Sequence, residues 1–171
     1  MIIATEELSE QQKKDIWQLL NEADCEFVPP LSARKGTTQK NLIDVEEGKV
    51  PTEYFEGLMQ QSFILCISDS HVVGFMSFIK DHELKLYGDN SIVGDYIYTI
   101  IVNKSFRNKG YTTGMYKKLF DGRSEKNYAT RTWSTNRAHL HVLDKIGFEL
   151  VYIIKDDRGN GIDTVYYVKN S

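Results

Sequence analysis

The segment that most constrains the fold is a long apolar strand that passes through a basic turn directly into a helix. Residues 92–102 are rich in Ile, Val, Tyr and Thr, as is typical of a buried strand. Residues 103–110 are polar and basic, and Tyr111, Met115 and Leu119 then recur every four residues. The start of such a helix presents unpaired N–H groups and the positive end of its dipole, which suits a phosphate. The segment therefore predicts a strand, a turn and a helix with an anion site between them.

The remaining patterns predict a mixed α/β chain. Helices are expected over residues 10–22, 52–60, 111–122 and 136–146, the first behind a capping box of Ser9 and Gln12. Strands are expected over residues 63–68, 72–80, 92–102, 128–133, 148–155 and 162–168. Polar loops are expected over residues 81–91, with Gly88-Asp89-Asn90, and at Gly159-Asn160-Gly161. This order predicts a central sheet with helices around it.

Composition and charge narrow the class of protein. The 171 residues suit one domain, and a net charge of −3 does not favour nucleic acid, which usually binds a basic surface. Cys25 and Cys66 are far apart and form no CxxC, so we expect free thiols in a reducing compartment. Residues 1–10 lack the apolar run of a signal peptide, and the longest apolar stretches are too short to span a membrane. We expect a cytoplasmic protein that binds neither nucleic acid nor a membrane.

The basic turn has two readings. It is either a solvated connection between a strand and a helix, or a phosphate cradle in which Gly110 allows close approach of the backbone and Thr112 and Thr113 add hydroxyls. The phosphate motifs GxxxxGK[ST] and GxGxxG are absent, which disfavours NTPases and dinucleotide enzymes. The run Arg107-Asn108-Lys109-Gly110-Tyr111-Thr112 resembles the R/Q-x-x-G-x-G/A signature of GNAT acyltransferases, except that Thr112 replaces Gly or Ala. The resemblance implies that backbone amides of residues 107–113 bind the pyrophosphate of coenzyme A.

A second run points to the same family. Asn136, Gly147 and Phe148 match, at the right spacing, the family's N-x-x-x-x-x-x-Y-x-x-x-G-F stretch. The resemblance implies that Asn136 contacts the pantetheine arm. Leu143 departs from it, because many GNAT enzymes keep at this position a Tyr that can protonate the leaving thiolate. In this respect, and in Gly110-Tyr111-Thr112-Thr113, the motifs are similar to those of the ribosomal-protein N-terminal acetyltransferase branch.

The resemblance implies a fold, a cosubstrate and a division of the chain. The expected fold is a GNAT-like, mixed α/β (α+β), mostly antiparallel sheet flanked by helices and splayed near Val102, where acetyl-CoA enters and pairs with the backbone of Ile100, Ile101 and Val102. Residues 1–171 are expected to form one domain. Within it, residues 1–60 form a helical acceptor side, residues 62–155 the acyl-CoA-binding core, and residues 156–171 a C-terminal hairpin strand.

The catalytic groups are less clearly marked. Many family members place a Glu base on the strand that here contains Asp95, Tyr96 and Tyr98. Alternation along the strand puts Tyr96 and Tyr98 on one face, continued by Ile100 and Val102, and Asp95 on the other. Either tyrosine could hold a water that accepts the amine proton, although both also suit plain sheet packing. Asp95 is the weaker candidate base.

The acid is the second open question. His139 shares a helix face with Asn136 and could replace the missing Tyr as the acid, whereas His141 points elsewhere. Release of a free thiolate with a pKa near 8.5 costs only about 2 kcal/mol at pH 7, so loss of the Tyr need not abolish catalysis. His139 also suits a packing role, because a lone histidine on a helix is often structural.

The sequence thus predicts an N-acetyltransferase that moves an acetyl group from acetyl-CoA to a primary amine of a small molecule or a protein N-terminus. No metal is expected, because the histidines show no metal-ligand spacing, and a homodimer is an open option. Two alternatives are a non-catalytic acyl-CoA-binding module on the same fold and an interaction domain that binds no nucleotide.

Overall fold

A computed structural model describes residues 1–40, 42, 50–85, 91–121 and 125–170. Within these ranges the α-helices are α1 (Glu10–Ala23), α2 (Thr52–Leu58), α3 (Tyr111–Phe120) and α4 (Arg137–Lys145). The strands are β1 (Ile2–Thr5), β2 (Ser62–Ser68), β3 (His71–Lys85), β4 (Ser91–Val102), β5 (Tyr128–Trp133), β6 (Glu149–Ile154) and β7 (Thr164–Lys169). Short 3-10 turns lie at Asp24–Glu26, Leu31–Ala33 and Lys104–Phe106. In the described part of the chain, no helix has the length and apolar character needed to cross a membrane.

The strands form one sheet in the order β1-β2-β3-β4-β5-β7-β6. All neighbouring pairs are antiparallel except β4 and β5, which run parallel. The parallel pairing covers only Asp95 to Ile97 on β4 and Tyr128 to Thr130 on β5, and the strands then separate. The predicted mixed α/β fold with a mostly antiparallel, splayed sheet is confirmed, and the fork opens at Tyr98, earlier than the predicted Val102.

Each face of the sheet carries its own apolar core. α1 and α2 pack on one face, where Ile16, Leu20, Tyr54, Leu58, Phe75 and Ile101 are buried. α3 and α4 pack on the opposite face, where Ile64, Met76, Ile97, Met115, Tyr116, Leu119 and Leu143 are buried. The two cores hold β4 from both sides, so the position of the fork is fixed by packing rather than by the loops around it.

The sequence located most elements and missed some. The capping box of Ser9 and Gln12 forms at the start of α1, as predicted. Strand β1 was not predicted, because four residues at a sheet edge carry too little pattern. The loop predicted over residues 81–91 is wrong at residues 81–85, which extend β3. The turn predicted at residues 88–90 and the helix end predicted at residue 122 fall outside the described residues.

A β-bulge in β4 overturns the predicted alternation. Ile97 pairs with Phe78 and Thr99 with Ser77, so Tyr98 is the extra residue. Beyond the bulge, Ile100 and Val102 face the α3 and α4 core. Tyr96 and Tyr98 project to the opposite face, so the prediction that all four share one face is wrong. Thr99 faces the α2 side, where its hydroxyl lies 2.8 Å from that of Tyr54.

Candidate active site

The fork between β4 and β5 opens into a cavity of about 500 Å³. Its walls come from both strands, the turn before α3, the starts of α3 and α4, and the segment from Ala23 to Phe27. The site residues predicted from the sequence that line it are Tyr98, Ile100, Ile101, Val102, Arg107, Asn108, Gly110, Tyr111, Thr112, Thr113, Asn136 and His139. Tyr96 and Lys109 lie outside this wall.

The α3 end of the cavity has the geometry of an anion site. Gly110 precedes the first turn of α3 with φ +78°, and Asn108 also takes a left-handed φ of 60°. A side chain at Gly110 would be strained whatever the space around it, because L residues rarely adopt this φ. The turn before α3 therefore leaves the unpaired backbone N–H groups of the helix start facing the cavity. These groups form the positive end of the helix dipole.

Two of the basic residues in this turn are held by Glu26. A carboxylate oxygen of Glu26 lies 2.9 Å from the Arg107 guanidinium, and the other lies 3.3 Å from the Lys104 ammonium. Arg107 Nε also donates to the carbonyl of Val102 at 3.0 Å. Burial raises the pKa of Glu26, but the hydrogen bonds and charges of Arg107 and Lys104 outweigh it and leave that pKa below its usual value. Lys109 turns away and donates to the carbonyl of Ser105 at 3.2 Å.

The α4 end is built around Asn136. Its side-chain oxygen accepts from the backbone N–H of His139 at 3.4 Å, and its amide donates to Thr132 Oγ1 at 3.0 Å. These bonds cap α4 and fix it to β5. His141, predicted to point elsewhere, also lines the cavity. Leu143 is fully buried in the core and does not reach it.

His139 lies in the cavity wall, half-buried, and pairs with the fully buried Tyr116 behind it. The Tyr116 hydroxyl lies 2.9 Å from Nε2 of His139, and the two rings are stacked. Burial lowers the pKa of His139 to about 4 and raises that of Tyr116. The imidazole is therefore neutral at pH 7, with one ring nitrogen occupied by Tyr116.

The tyrosines of β4 take different places. Tyr98 lines the cavity, and its hydroxyl lies 3.5 Å from Nε2 of His82. Tyr96 packs behind it with ring centroids 4.5 Å apart and is 4% exposed. Burial raises the pKa of both phenols. Asp95 is fully buried away from the cavity, where it accepts from Lys126 at 3.1 Å and from the backbone N–H of Asp81.

Sequence reasoning missed the wall opposite the anion site. Phe27, Arg131 and Trp133 line the cavity there, and the Phe27 and Trp133 rings lie 5.5 Å apart. A signal was available, because an arginine inside the apolar strand β5 is unusual for a buried element. Among the residues that the structure describes, no group of three or more His, Cys, Asp or Glu side chains could hold a metal ion.

Comparison with known proteins agrees with this geometry. The sequence matches the acetyltransferase (GNAT) family over residues 17–148. The chain therefore belongs to that family, as the two sequence motifs predicted. A search of curated proteins finds no match.

Solved structures share the whole fold. A GNAT-family acetyltransferase from Streptococcus agalactiae superposes with a TM-score of 0.68 at 16% identity, covering 99% of this chain and 95% of that one. An aminoglycoside 6'-N-acetyltransferase from Enterococcus faecium gives 0.67 at 14% identity, covering 99% and 96%. An aminoglycoside 6'-N-acetyltransferase in complex with coenzyme A gives 0.65 at 16% identity, with the same coverage. At these identities the likeness establishes the fold alone.

Proposed function

We propose that the protein transfers an acetyl group from acetyl-CoA to a primary amine of a small molecule or a protein N-terminus. One observation carries the proposal. A single cavity joins a phosphate-type helix start to a fork between two strands and continues to the opposite face of the sheet. A ligand with an anionic end and a long polar arm can therefore place its acyl group at the fork, where a second substrate can meet it.

Acetyl-CoA fits this cavity as the cosubstrate. The pyrophosphate is held by backbone N–H groups of residues 107–113, with Arg107 beside it. The pantetheine arm follows the unpaired edge of Ile100, Ile101 and Val102 and meets Asn136 on α4. Lys109 acts through the positive charge that it adds to the turn rather than through direct contact.

Acetyl transfer then needs a neutral amine and a stabilised oxyanion. A water held by Tyr98 takes the ammonium proton, and the amine nitrogen attacks the thioester carbonyl carbon. The carbonyl becomes an oxyanion, which a backbone N–H at the bulge of β4 stabilises. The oxyanion then collapses, the C–S bond breaks, and the nitrogen loses its remaining extra proton to the released thiolate, so the products are the amide and coenzyme A thiol. Tyr96 supports the ring of Tyr98 and does not touch the substrate.

His139 stabilises the leaving sulfur through a hydrogen bond. We assign the Tyr116 hydroxyl as the donor to Nε2, which lies 2.9 Å away, and this assignment leaves the imidazole proton on Nδ1. The imidazole is neutral, in keeping with the pKa of about 4 that burial gives His139, so it donates a hydrogen bond to the sulfur but keeps its own proton. His139 replaces the Tyr that the family often keeps at the position of Leu143.

Thiol release from acetyl-CoA with a panel of amines tests this proposal. We expect Tyr98→Phe and His139→Gln each to lower kcat by about 10- to 100-fold with little change in coenzyme A affinity. Tyr96→Phe is the matched control, because this phenol lies outside the cavity, and it should keep kcat within about threefold. Equal losses in all three variants would contradict the roles given to Tyr98 and His139.

The main alternative is a non-catalytic acyl-CoA-binding module. Two departures from the family favour it, namely the lack of a Glu on β4 and the Leu at position 143. Coenzyme A would then raise the melting temperature while no amine releases thiol. An interaction domain that binds no nucleotide would show neither effect. Steady thiol release excludes both.

We also infer a reducing, cytoplasmic setting. Cys25 is exposed and Cys66 is buried, and both are free thiols. Burial raises the pKa of Cys66 to about 11, so this thiol is inert packing. The likeness of the two motifs to the ribosomal-protein branch stays a prediction about motif style.

We also propose that the protein forms a homodimer in which strand β6 of one copy pairs with a second copy. β6 ends the sheet and exposes Leu150, Val151 and Ile153. An apolar edge strand is a favourable surface for pairing with a second copy. Light scattering of the wild type and of Val151→Lys tests this, and a monomeric wild type would contradict it.

A further inference from the structure

Three arginines converge beside the cavity on the face opposite the anion site. Arg131 comes from β5, Arg34 follows the 3-10 turn at Leu31–Ala33, and Arg158 precedes β7. The Arg34 guanidinium lies 5.6 Å from the Phe27 ring centre, and that of Arg158 lies 5.7 Å from the Trp133 ring centre. Because those two rings are in contact and line the cavity with Arg131, the three charges share one small region.

These charges are close enough to repel one another. Burial lowers the pKa of Arg34, and the charge of Arg131 lowers it further. Burial together with the charges of Arg34 and Arg131 lowers the pKa of Arg158 to about 9. Burial also lowers the pKa of Arg131, but its tyrosine neighbours outweigh this and leave that pKa raised, so Arg131 stays charged. Arg158 is only 6% exposed, so water does little to screen it. Like charges held together in a poorly solvated place raise the free energy of the folded protein unless an anion joins them.

No carboxylate among the described residues pairs directly with the group. Across the described ranges, none of the three guanidiniums forms a salt bridge. Their hydrogen bonds go to neutral oxygens, namely the carbonyls of Val28, Pro29 and Gln39, the Thr164 hydroxyl and the Tyr166 hydroxyl. The charges of Asp24 and Asp157 offset part of the positive charge, because they raise the pKa of Arg34 and of Arg158 respectively. Asp24 accepts from Ser32, and Asp157 accepts from the Thr164 hydroxyl.

Arg131 stands where an acceptor would react. Thr130 is the last residue of β5 that pairs with β4, and its partner is Ile97. Arg131 and Tyr98 are therefore the first residues on either side of the fork. Both line the cavity, and both project to the face opposite α3 and α4. An anionic group held by Arg131 would lie within a few bonds of an amine held near Tyr98.

We propose that the acceptor is an amine that carries its own carboxylate close to the nitrogen, as an α-amino acid does. Arg131 binds that carboxylate, Arg34 and Arg158 strengthen the local positive field, and the Phe27 and Trp133 rings receive an apolar side chain. This rests on the proposed acetyl transfer and narrows its acceptor. The same field disfavours polycationic amines, so the likeness to aminoglycoside acetyltransferases in fold does not extend to their substrates.

The test compares amines that carry a carboxylate with matched amines that do not. Thiol release is measured with acetyl-CoA and a panel of α-amino acids, each paired with its amide and with the amine lacking the carboxyl group. L-phenylalanine, L-phenylalaninamide and 2-phenylethylamine form the first set. Rates are expressed per unprotonated amine, because the three compounds differ in amine pKa. O-phosphoethanolamine with ethanolamine separates carboxylate from phosphate recognition, and kanamycin serves as the polycation.

We expect kcat/KM to favour the best amino acid over both of its neutral partners by about 10- to 100-fold, as a hydrogen bond to a charged group supplies. Arg131→Gln should reduce that preference to less than about threefold, mainly through KM. Arg137→Gln removes an exposed arginine of α4 and should leave it unchanged. Fluorescence of Trp133 in a Trp17→Phe protein reports amino-acid binding without any variant of Arg131.

The outcomes separate the two proposals. Failure to bind coenzyme A, or to acetylate any amine, defeats the proposed function itself. Normal coenzyme A binding with neutral amines or kanamycin acetylated as well as amino acids defeats this inference alone. A preference for phosphoethanolamine over every amino acid would replace the carboxylate by a phosphate and overturn the inference as stated.

Discussion

Replacing Gly110 by Glu should separate its two roles, as a backbone hinge and as part of an anion site. Gly110 has φ +78° and no atom within 4 Å of an added Cβ. An L residue there costs about 1–2 kcal/mol in left-handed backbone strain. For a chain of this size that corresponds to a melting temperature lower by about 2–8 °C.

The charge adds a cost that only the complex feels. A carboxylate about 5 Å from each phosphate of a diphosphate raises its energy by about 0.8 kcal/mol per phosphate in water, and by more at lower dielectric. The affinity for coenzyme A should therefore fall by at least about 10-fold.

Gly161 provides the matched control. Its φ is +77°, it also has no atom within 4 Å of an added Cβ, and it lies outside the cavity wall. Gly161→Glu should lower the melting temperature by a similar amount and leave coenzyme A affinity unchanged. Calorimetric titration with coenzyme A gives both affinities. Equal affinity in the two variants would refute the reasoning, because the charge at position 110 would then lie far from the ligand.

Three further outcomes follow from the same geometry. Asn136→Ala removes the cap of α4 and should cost about 1 kcal/mol in thermal unfolding, whereas Asn136→Asp keeps the cap and most of that stability. Glu26→Gln frees Arg107 and should tighten coenzyme A binding by about two- to fivefold in a titration at low salt. Unchanged binding would show that Glu26 does not compete with the coenzyme A phosphates for Arg107. The folded pKa of His139, about 4, lies below its unfolded value of 6.5, so the unfolded chain binds the extra proton between these values. Stability should therefore fall by up to about 3 kcal/mol as pH drops from 6.5 to 4. Urea unfolding of His139→Gln should show a smaller loss, and an equal loss would refute the burial of a neutral imidazole.

Short-range sequence patterns were enough to predict the strand and the two helix starts that form the cofactor side of the site. The strand that becomes β4, the glycine before α3 and the asparagine before α4 each combine periodicity with a capping or turn residue. Such signals act over a few residues, so they survive without knowledge of the tertiary fold. For this reason the sequence predicted a shared site for residues 107–113 and Asn136, and all of them except Lys109 line the cavity.

The acceptor side could not be predicted in the same way. Phe27, Arg34 and Arg131 come from segments far apart in sequence, and only the packed sheet brings them together. The bulge at Tyr98 is equally hidden, because a single extra residue leaves the apolar content of β4 unchanged while it reverses which face Ile100 and Val102 occupy. The pairing of His139 with Tyr116 needed the distance between α3 and α4.

A crystal structure of the protein with coenzyme A tests the central claim most directly. We expect diphosphate oxygens within about 3.2 Å of backbone nitrogens in residues 107–113, with the thiol arm running between β4 and β5 toward Tyr98. Coenzyme A bound at another surface, with the start of α3 left empty, would contradict the account.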